Sequence, residues 1–224
     1  MTMLRSSLSF TIFTIFLVFF LSSTHFVPTE AYGGASANGN ITIKWDVVSW
    51  TPDGYVSLVT IYNFQKNRRI QAPGWQLGWT WAKKEVIWSI VGSKTTRQGD
   101  CSRFKRNIPH SCSKNPTIID LKPNAPYTQR IANCCRGGVL SSWFHYRPHS
   151  VSAFLISVGQ AGTTNKTVRM PKNLTFKAPK ALYTCGPAKI VMPTKFITAD
   201  KRRMTQALMT WNSACLYSGA QKLT

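Results

Sequence analysis

Tryptophan is the residue whose spacing in this chain suggests chemistry most directly. Within Gly74–Trp81, Trp75, Trp79 and Trp81 share one parity with Leu77. In an extended strand they line one face, at about 6.6 Å per two-residue step. Rings at that pitch can stack on the apolar C–H faces of sugars, and a flat crystalline glucan repeats such faces regularly. Aromatics on one strand face are also the usual substance of a core, so the stripe is read both ways. Trp45 keeps company with Ile41, Ile43 and Val47 and is expected inside. Trp50 falls on the other parity, beside Lys44 and Asp46, and is expected outside, as a further sugar contact.

Acid–base chemistry has little to work with. Of 7 Asp and Glu, Glu30 lies in an N-terminal leader, leaving Asp46, Asp53, Glu85, Asp100, Asp120 and Asp200. Glycoside hydrolysis generally needs a facing carboxylate pair, and no spacing here marks one. Asp53 sits in a turn and Asp100 beside a cysteine. There is no G-x-S-x-G, P-loop or H-E-x-x-H, and no C-x-x-C, while His110, His145 and His149 have no cysteine at zinc-ligand spacing. No catalytic residue, metal or cofactor is expected, and the chain reads as not an enzyme.

Six cysteines remain: Cys101, Cys112, Cys134, Cys135, Cys185 and Cys215. Met1–Ala31 has the form of a secretory signal, with Arg5 ahead of the apolar run Leu8–Leu21, which is shorter than the ~20 residues of a membrane span. Export implies disulfides. Cys101 and Cys112 bracket a short polar loop and are able to pair, the adjacent Cys134 and Cys135 are expected to reach different partners, and the map as a whole stays open. Asn40, Asn165 and Asn173 each begin an N-x-T sequon, fitting a glycoprotein and surface positions.

Lys and Arg number 28, for a net charge of +21. That field attracts polyanions. In an exported protein an acidic polysaccharide or an anionic membrane surface is expected rather than nucleic acid. With 43% hydrophobic and 16% charged residues the chain is not disordered.

These residues need elements to hold them. Ile41–Trp50 alternates with period two, Thr51-Pro-Asp-Gly54 is a turn, and Tyr55–Phe64 returns as a second strand. Gly74–Trp81 and Val86–Val91 follow. Weaker strands are read at Thr117–Leu121, Ser152–Val158, Asn173–Phe176, Lys189–Met192 and Gln206–Tyr217, with Arg97–Asn115 a disulfide-pinned loop. No segment has sustained helical periodicity. The fold class expected is all-β, an antiparallel β-sandwich with disulfide-pinned loops.

Long strings of this sequence resemble the plant COBRA-like family. They are Gly39–Tyr55, Ile70–Trp88, Gln98–Cys101, Ile131–Gly138, Gly162–Thr167, Tyr183–Ala188, Phe196–Thr198 and Arg203–Asn212. The resemblance implies an exported, N-glycosylated, non-catalytic protein held outside the plasma membrane by a glycosylphosphatidylinositol anchor. It implies action in the orientation and crystallisation of cellulose microfibrils, and hence in wall growth. The N-terminal half of such proteins resembles a family 2 carbohydrate-binding module, so residues of about 40–160 are expected to form a module-like sandwich, with a β-rich continuation across the rest of 32–224. Cellulose is the implied partner, through Trp75, Trp79, Trp81 and Trp50. The alternative is a basic scaffold or adhesive glycoprotein holding acidic pectin or an anionic membrane. Relatives continue through a further cysteine-rich stretch and an anchor signal. Gln221–Thr224 resembles no anchor tail, so a truncated, released form is expected, some of its cysteines having lost their partners. Trp211-Asn-Ser-Ala-Cys215 departs from a sequon that relatives often carry.

Overall fold

A computed structural model describes residues 26–29, 39–198 and 200–220; of the first four only the backbone is described. Most of Met1–Ala31, the segment expected to be a secretory signal, therefore lies outside the described residues.

The described residues form 14 strands and two 3-10 turns. In order the strands are β1 (Phe26–Thr29), β2 (Ile41–Thr51), β3 (Gly54–Asn63), β4 (Gln76–Thr80), β5 (Val86–Val91), β6 (Ser93–Thr95), β7 (Thr117–Asp120), β8 (Val151–Gly159), β9 (Lys172–Lys177), β10 (Ala181–Cys185), β11 (Lys189–Val191), β12 (Lys195–Thr198), β13 (Met204–Gln206) and β14 (Met209–Ala220). All pairings are antiparallel. One sheet runs β10-β14-β2-β3-β8-β5 with β11 on β14, a second runs β6-β7-β4-β9, and β1-β12-β13 form a small third. The strands expected from alternation are all present.

The first two sheets face each other, and the chain crosses between them at both edges. Gly92 links β5 to β6 with φ 87°, and Pro179-Lys180 links β9 to β10. A Cβ on Gly92 would approach the Ala153 carbonyl oxygen to 3.0 Å, so the corner favours glycine on both counts. Because β9 pairs β4 and β14 pairs β2, the sandwich is not confined to 40–160: residues 172–220 supply strands to both of its sheets. The stretch 160–171 is a surface excursion within it.

The interior is a block of indoles. Trp45 and Trp211 stack at 5.9 Å, Trp79 meets Trp45 edge-on at 5.0 Å, and Trp81 meets Trp79 at 5.3 Å. Trp75 stacks on Phe154 at 6.2 Å. Trp75, Trp79 and Trp81 are 1%, 2% and 1% exposed. This corrects the sugar-stacking ladder: the aromatic parity of β4 is the face turned toward the first sheet, and Gln76, Gly78 and Thr80 take the outer one.

Trp50 needs a correction too. Val48 is an extra residue, so the β2–β3 register shifts and Trp50 falls opposite the buried Tyr55 rather than on the Lys44–Asp46 face. A bulge of this kind inverts side-chain parity beyond it. Trp50 is half-buried and packs on Tyr55 at 6.4 Å.

The outer face of β2 carries Asp46, almost wholly buried, with Oδ1 accepting from the Thr210 hydroxyl at 2.6 Å. Burial raises this carboxyl's pKa, and the hydroxyls of Thr194 and Thr210 and the charge of Lys44 oppose the rise only in part. A native state that holds its proton more tightly than the unfolded chain is favoured at low pH. Its advantage is complete below about pH 4 and is lost as pH rises through the folded-state value. Asp46→Asn imitates the protonated group. Its melting temperature relative to wild type is expected to rise as pH is raised above about 4 and to level off above the folded-state pKa; thermal melts from about pH 4 to pH 7 check it, and a flat difference would refute the assignment.

Candidate functional site

With the indole ladder inside, the exposed rings lie elsewhere. Tyr127 is 85% exposed in the 121–129 loop, and two more, Phe144 and Tyr146, stand where β3 ends and β8 begins, on the loops 64–69 and 141–150. Asn63, fully buried, ties these loops together: Nδ2 donates to the carbonyls of Arg68 at 2.8 Å and Ser141 at 2.9 Å. The Trp143 amide donates to the Asn63 carbonyl at 3.0 Å, and the Ser142 hydroxyl to the Lys66 carbonyl at 2.7 Å. Ile70 and Leu140 exchange backbone hydrogen bonds and close the base. A 3-10 turn at Arg147–His149 then turns the chain into β8.

On this frame rings and cations alternate. Tyr62 and Phe64 stack at 5.4 Å, and Phe64 meets Trp143 at 5.0 Å. The Arg147 guanidinium lies 5.3 Å from the Trp143 ring, Lys66 Nζ 5.9 Å from Phe144, and the Arg68 guanidinium 3.4 Å from Tyr217. Phe144 is 63% exposed and Tyr146 51%. Such contacts hold the cationic side chains extended over rings. They also cut the entropy lost when a ligand is bound.

Between the loops is a groove of about 360 Å³ lined by Asn67, Arg69, Ser141, Ser142 and His145. The Ser142 hydroxyl proton goes to Lys66, so the 2.7 Å contact with His145 Nδ1 has the ring donating. No Asp or Glu occurs between Asp53 and Glu85, or between Asp120 and Asp200, so neither loop carries a carboxylate. Lys66, Arg68, Arg69 and Arg147 thus present uncompensated charge beside exposed rings. This arrangement suits a flexible anionic chain bearing flat apolar faces.

The carboxylates have structural partners. Asp53 accepts from Trp88 Nε1 at 2.9 Å, fastening the first hairpin to β5. Glu85 accepts from the Lys83 amide, Asp100 from the Ser102 amide and Asp200 from the Thr198 hydroxyl. Asp120 accepts from the amides of Cys135, Arg136 and Gly138 at 2.8, 2.9 and 2.9 Å. No group of three His, Cys, Asp or Glu able to hold a metal occurs among the described residues.

All six cysteines are paired. Cys101–Cys112 closes the basic loop as expected, and Cys185–Cys215 bridges β10 and β14 at directly opposed positions. Cys134 and Cys135 bond to each other, correcting the expectation of separate partners. Asn133 and Cys135 have positive φ, and Asp120 on β7 accepts the amides of Cys135 and Arg136, folding the chain back on itself. No cysteine has lost its partner. Of the sequon asparagines, Asn165 and Asn173 are exposed, while Asn40 is half-buried with Oδ1 accepting from the Thr42 hydroxyl at 2.9 Å.

Comparison with known proteins gives one consistent result. Residues 55–218 match the COBRA N-terminal domain. The chain is similar to Protein COBRA of Arabidopsis thaliana, with 62% identity over 97% of this chain and 47% of the relative. It is similar to COBRA-like protein 1 of the same plant, with 62% identity over 95% of this chain and 47% of that protein. With COBRA-like protein 3 of Oryza sativa subsp. japonica it shares 65% identity over 85% of this chain and 42% of the relative. The chain spans about half the length of these curated relatives. No solved structure matches it.

Proposed function

The chain belongs to the COBRA family, and from that premise we propose that it is a secreted, non-catalytic cell-wall glycoprotein that holds an acidic wall polysaccharide on its aromatic–cationic face. One observation carries the choice of ligand: Lys66, Arg68, Arg69 and Arg147 surround exposed rings in loops that lack any carboxylate. Pectin, a polyuronate, has the matching charge, and its sugar rings have apolar faces for Phe144 and Tyr146. The wider role is organisation of the wall and its cellulose microfibrils, with the protein acting as a scaffold. Asn165 and Asn173, both exposed, are the positions best placed to carry glycans.

A second reading rests on the same exposed rings. Phe144 and Tyr146 could stack on neutral cellulose, with the cations as bystanders. Salt separates the two. Polyanion binding releases counterions and weakens steeply as salt rises, whereas stacking on a neutral glucan does not. The test is co-sedimentation of the secreted protein with insoluble polygalacturonate and with crystalline cellulose, at low and high salt. Polygalacturonate retention is expected to fall by about tenfold or more over that range, and to fall similarly when Lys66, Arg68, Arg69 and Arg147 are all changed to Gln. Salt-insensitive retention on cellulose, unchanged in that variant and lost in Phe144→Ala, would put the second reading first. Retention on neither polymer would sink both.

A further inference from the structure

Away from that face, the second sheet carries a cleft of about 530 Å³, inside the range of roughly 300–1,000 Å³ typical of small-ligand sites. Its floor is one register row across three strands: Gln76 on β4 pairs with Ile119 on β7, which pairs with Lys94 on β6. These positions lie on the outer face, opposite the core residues Leu77 and Ile118. Two strand spacings put the ends of the row about 10 Å apart, a span that suits a disaccharide. The 121–129 loop makes the far wall and brings Lys122, Asn124 and Gln129 to the rim.

We propose that this cleft is a subsite for a short uronate segment, with Ile119 against the apolar face of one sugar ring, Lys94 and Lys122 on carboxylates, and the amides of Gln76, Asn124 and Gln129 on hydroxyls. Three observations support it. The five polar side chains are exposed, and none has a side-chain hydrogen bond, ion pair or ring contact among the described residues. Their chemistry is complementary to a pyranose acid: cations for its charge, amides that both donate and accept for its hydroxyls. The single carboxylate lining the cleft, Asp120, does not compete, since its oxygens accept three backbone amides and it feels the positive charge of Arg136. A cleft of this size takes a few sugar units rather than a polymer surface, so it would read local composition while the aromatic–cationic face supplies avidity.

The inference rests on the acidic-polysaccharide reading, and its test keeps the two apart. Trigalacturonate is titrated into the secreted protein by calorimetry, with cellotriose as the neutral probe. Lys94→Gln combined with Lys122→Gln is expected to lose about tenfold or more in trigalacturonate affinity, with Gln76→Ala weakening it further and the melting temperature unchanged in both. The face variant with Lys66, Arg68, Arg69 and Arg147 changed to Gln should keep trigalacturonate affinity while losing polymer. Cellotriose should bind more weakly than the uronate. Equal trimer affinity in wild type and the cleft variant, or cellotriose binding as tightly as trigalacturonate, overturns the cleft assignment alone. A wild type that holds neither trimer nor polygalacturonate overturns the acidic-polysaccharide reading with it.

Discussion

Trp79→Ala is expected to destabilise the protein by about 3–5 kcal/mol, enough to unfold a marginally stable domain. Trp79 is 2% exposed and meets both Trp45 and Trp81 edge-on, at 5.0 and 5.3 Å, so truncation opens a void bounded by rigid rings that cannot collapse into it. Trp79→Phe should cost much less. It keeps most of the ring, and the indole N–H it removes is buried without a hydrogen-bond partner, which is itself unfavourable. Denaturant unfolding of both variants checks this. Loss of sugar binding in a Trp79→Ala protein of wild-type stability would return the residue to the surface.

Asp120→Ala should be nearly as damaging for a different reason. The carboxylate, 6% exposed, is the shared acceptor for the amides of Cys135, Arg136 and Gly138. Its loss leaves donors unpaired in a largely buried turn, at about 1–3 kcal/mol each. Asp120→Asn should recover part of the loss, because one amide oxygen can still serve the pair at Oδ2 while the –NH2 opposes Cys135. Two measurements report it: a fall in denaturation midpoint ordered wild type, Asn, Ala, and in the same order faster thiol trapping of Cys134 and Cys135 under mild reductant. An Ala variant as stable as wild type would show that the turn is held by something else.

What the sequence reveals, and what it hides, follows from the range of each interaction. β2 and β3 are legible because their alternation is local and Pro52-Asp53 fixes the turn between them. The fate of the tryptophan ladder was legible too, from the neighbours rather than the rings. Gln76, Gly78 and Thr80 form the opposite face of the same strand, and a strand with one aromatic and one polar face buries the aromatic one. Trp50 was not legible, since a single bulged residue at Val48 depends on pairing with β3 and leaves no mark in composition. The Cys134–Cys135 bond depends on Asp120, far along the chain, and β12 and β13 are too short for periodicity to register. The run Trp143–His149 does carry a signal: rings in a segment without strand alternation, next to Pro148, have no sheet face to be buried on.

The scarcity of carboxylates has a consequence for the molecule as a whole. Among the described residues Arg202 lies 4.0 Å from the Asp200 carboxylate, while the sequence sets 28 basic side chains against 7 acidic ones. The native state therefore concentrates like charges that the expanded chain would spread apart, and part of its stability is spent on that self-repulsion. Any dense anion that settles on the folded surface relieves it, and by mass action shifts the folding equilibrium toward the native form. Ligand and fold are then thermodynamically linked: the protein would be at its most robust embedded in an acidic matrix, and at its most fragile when washed free of one.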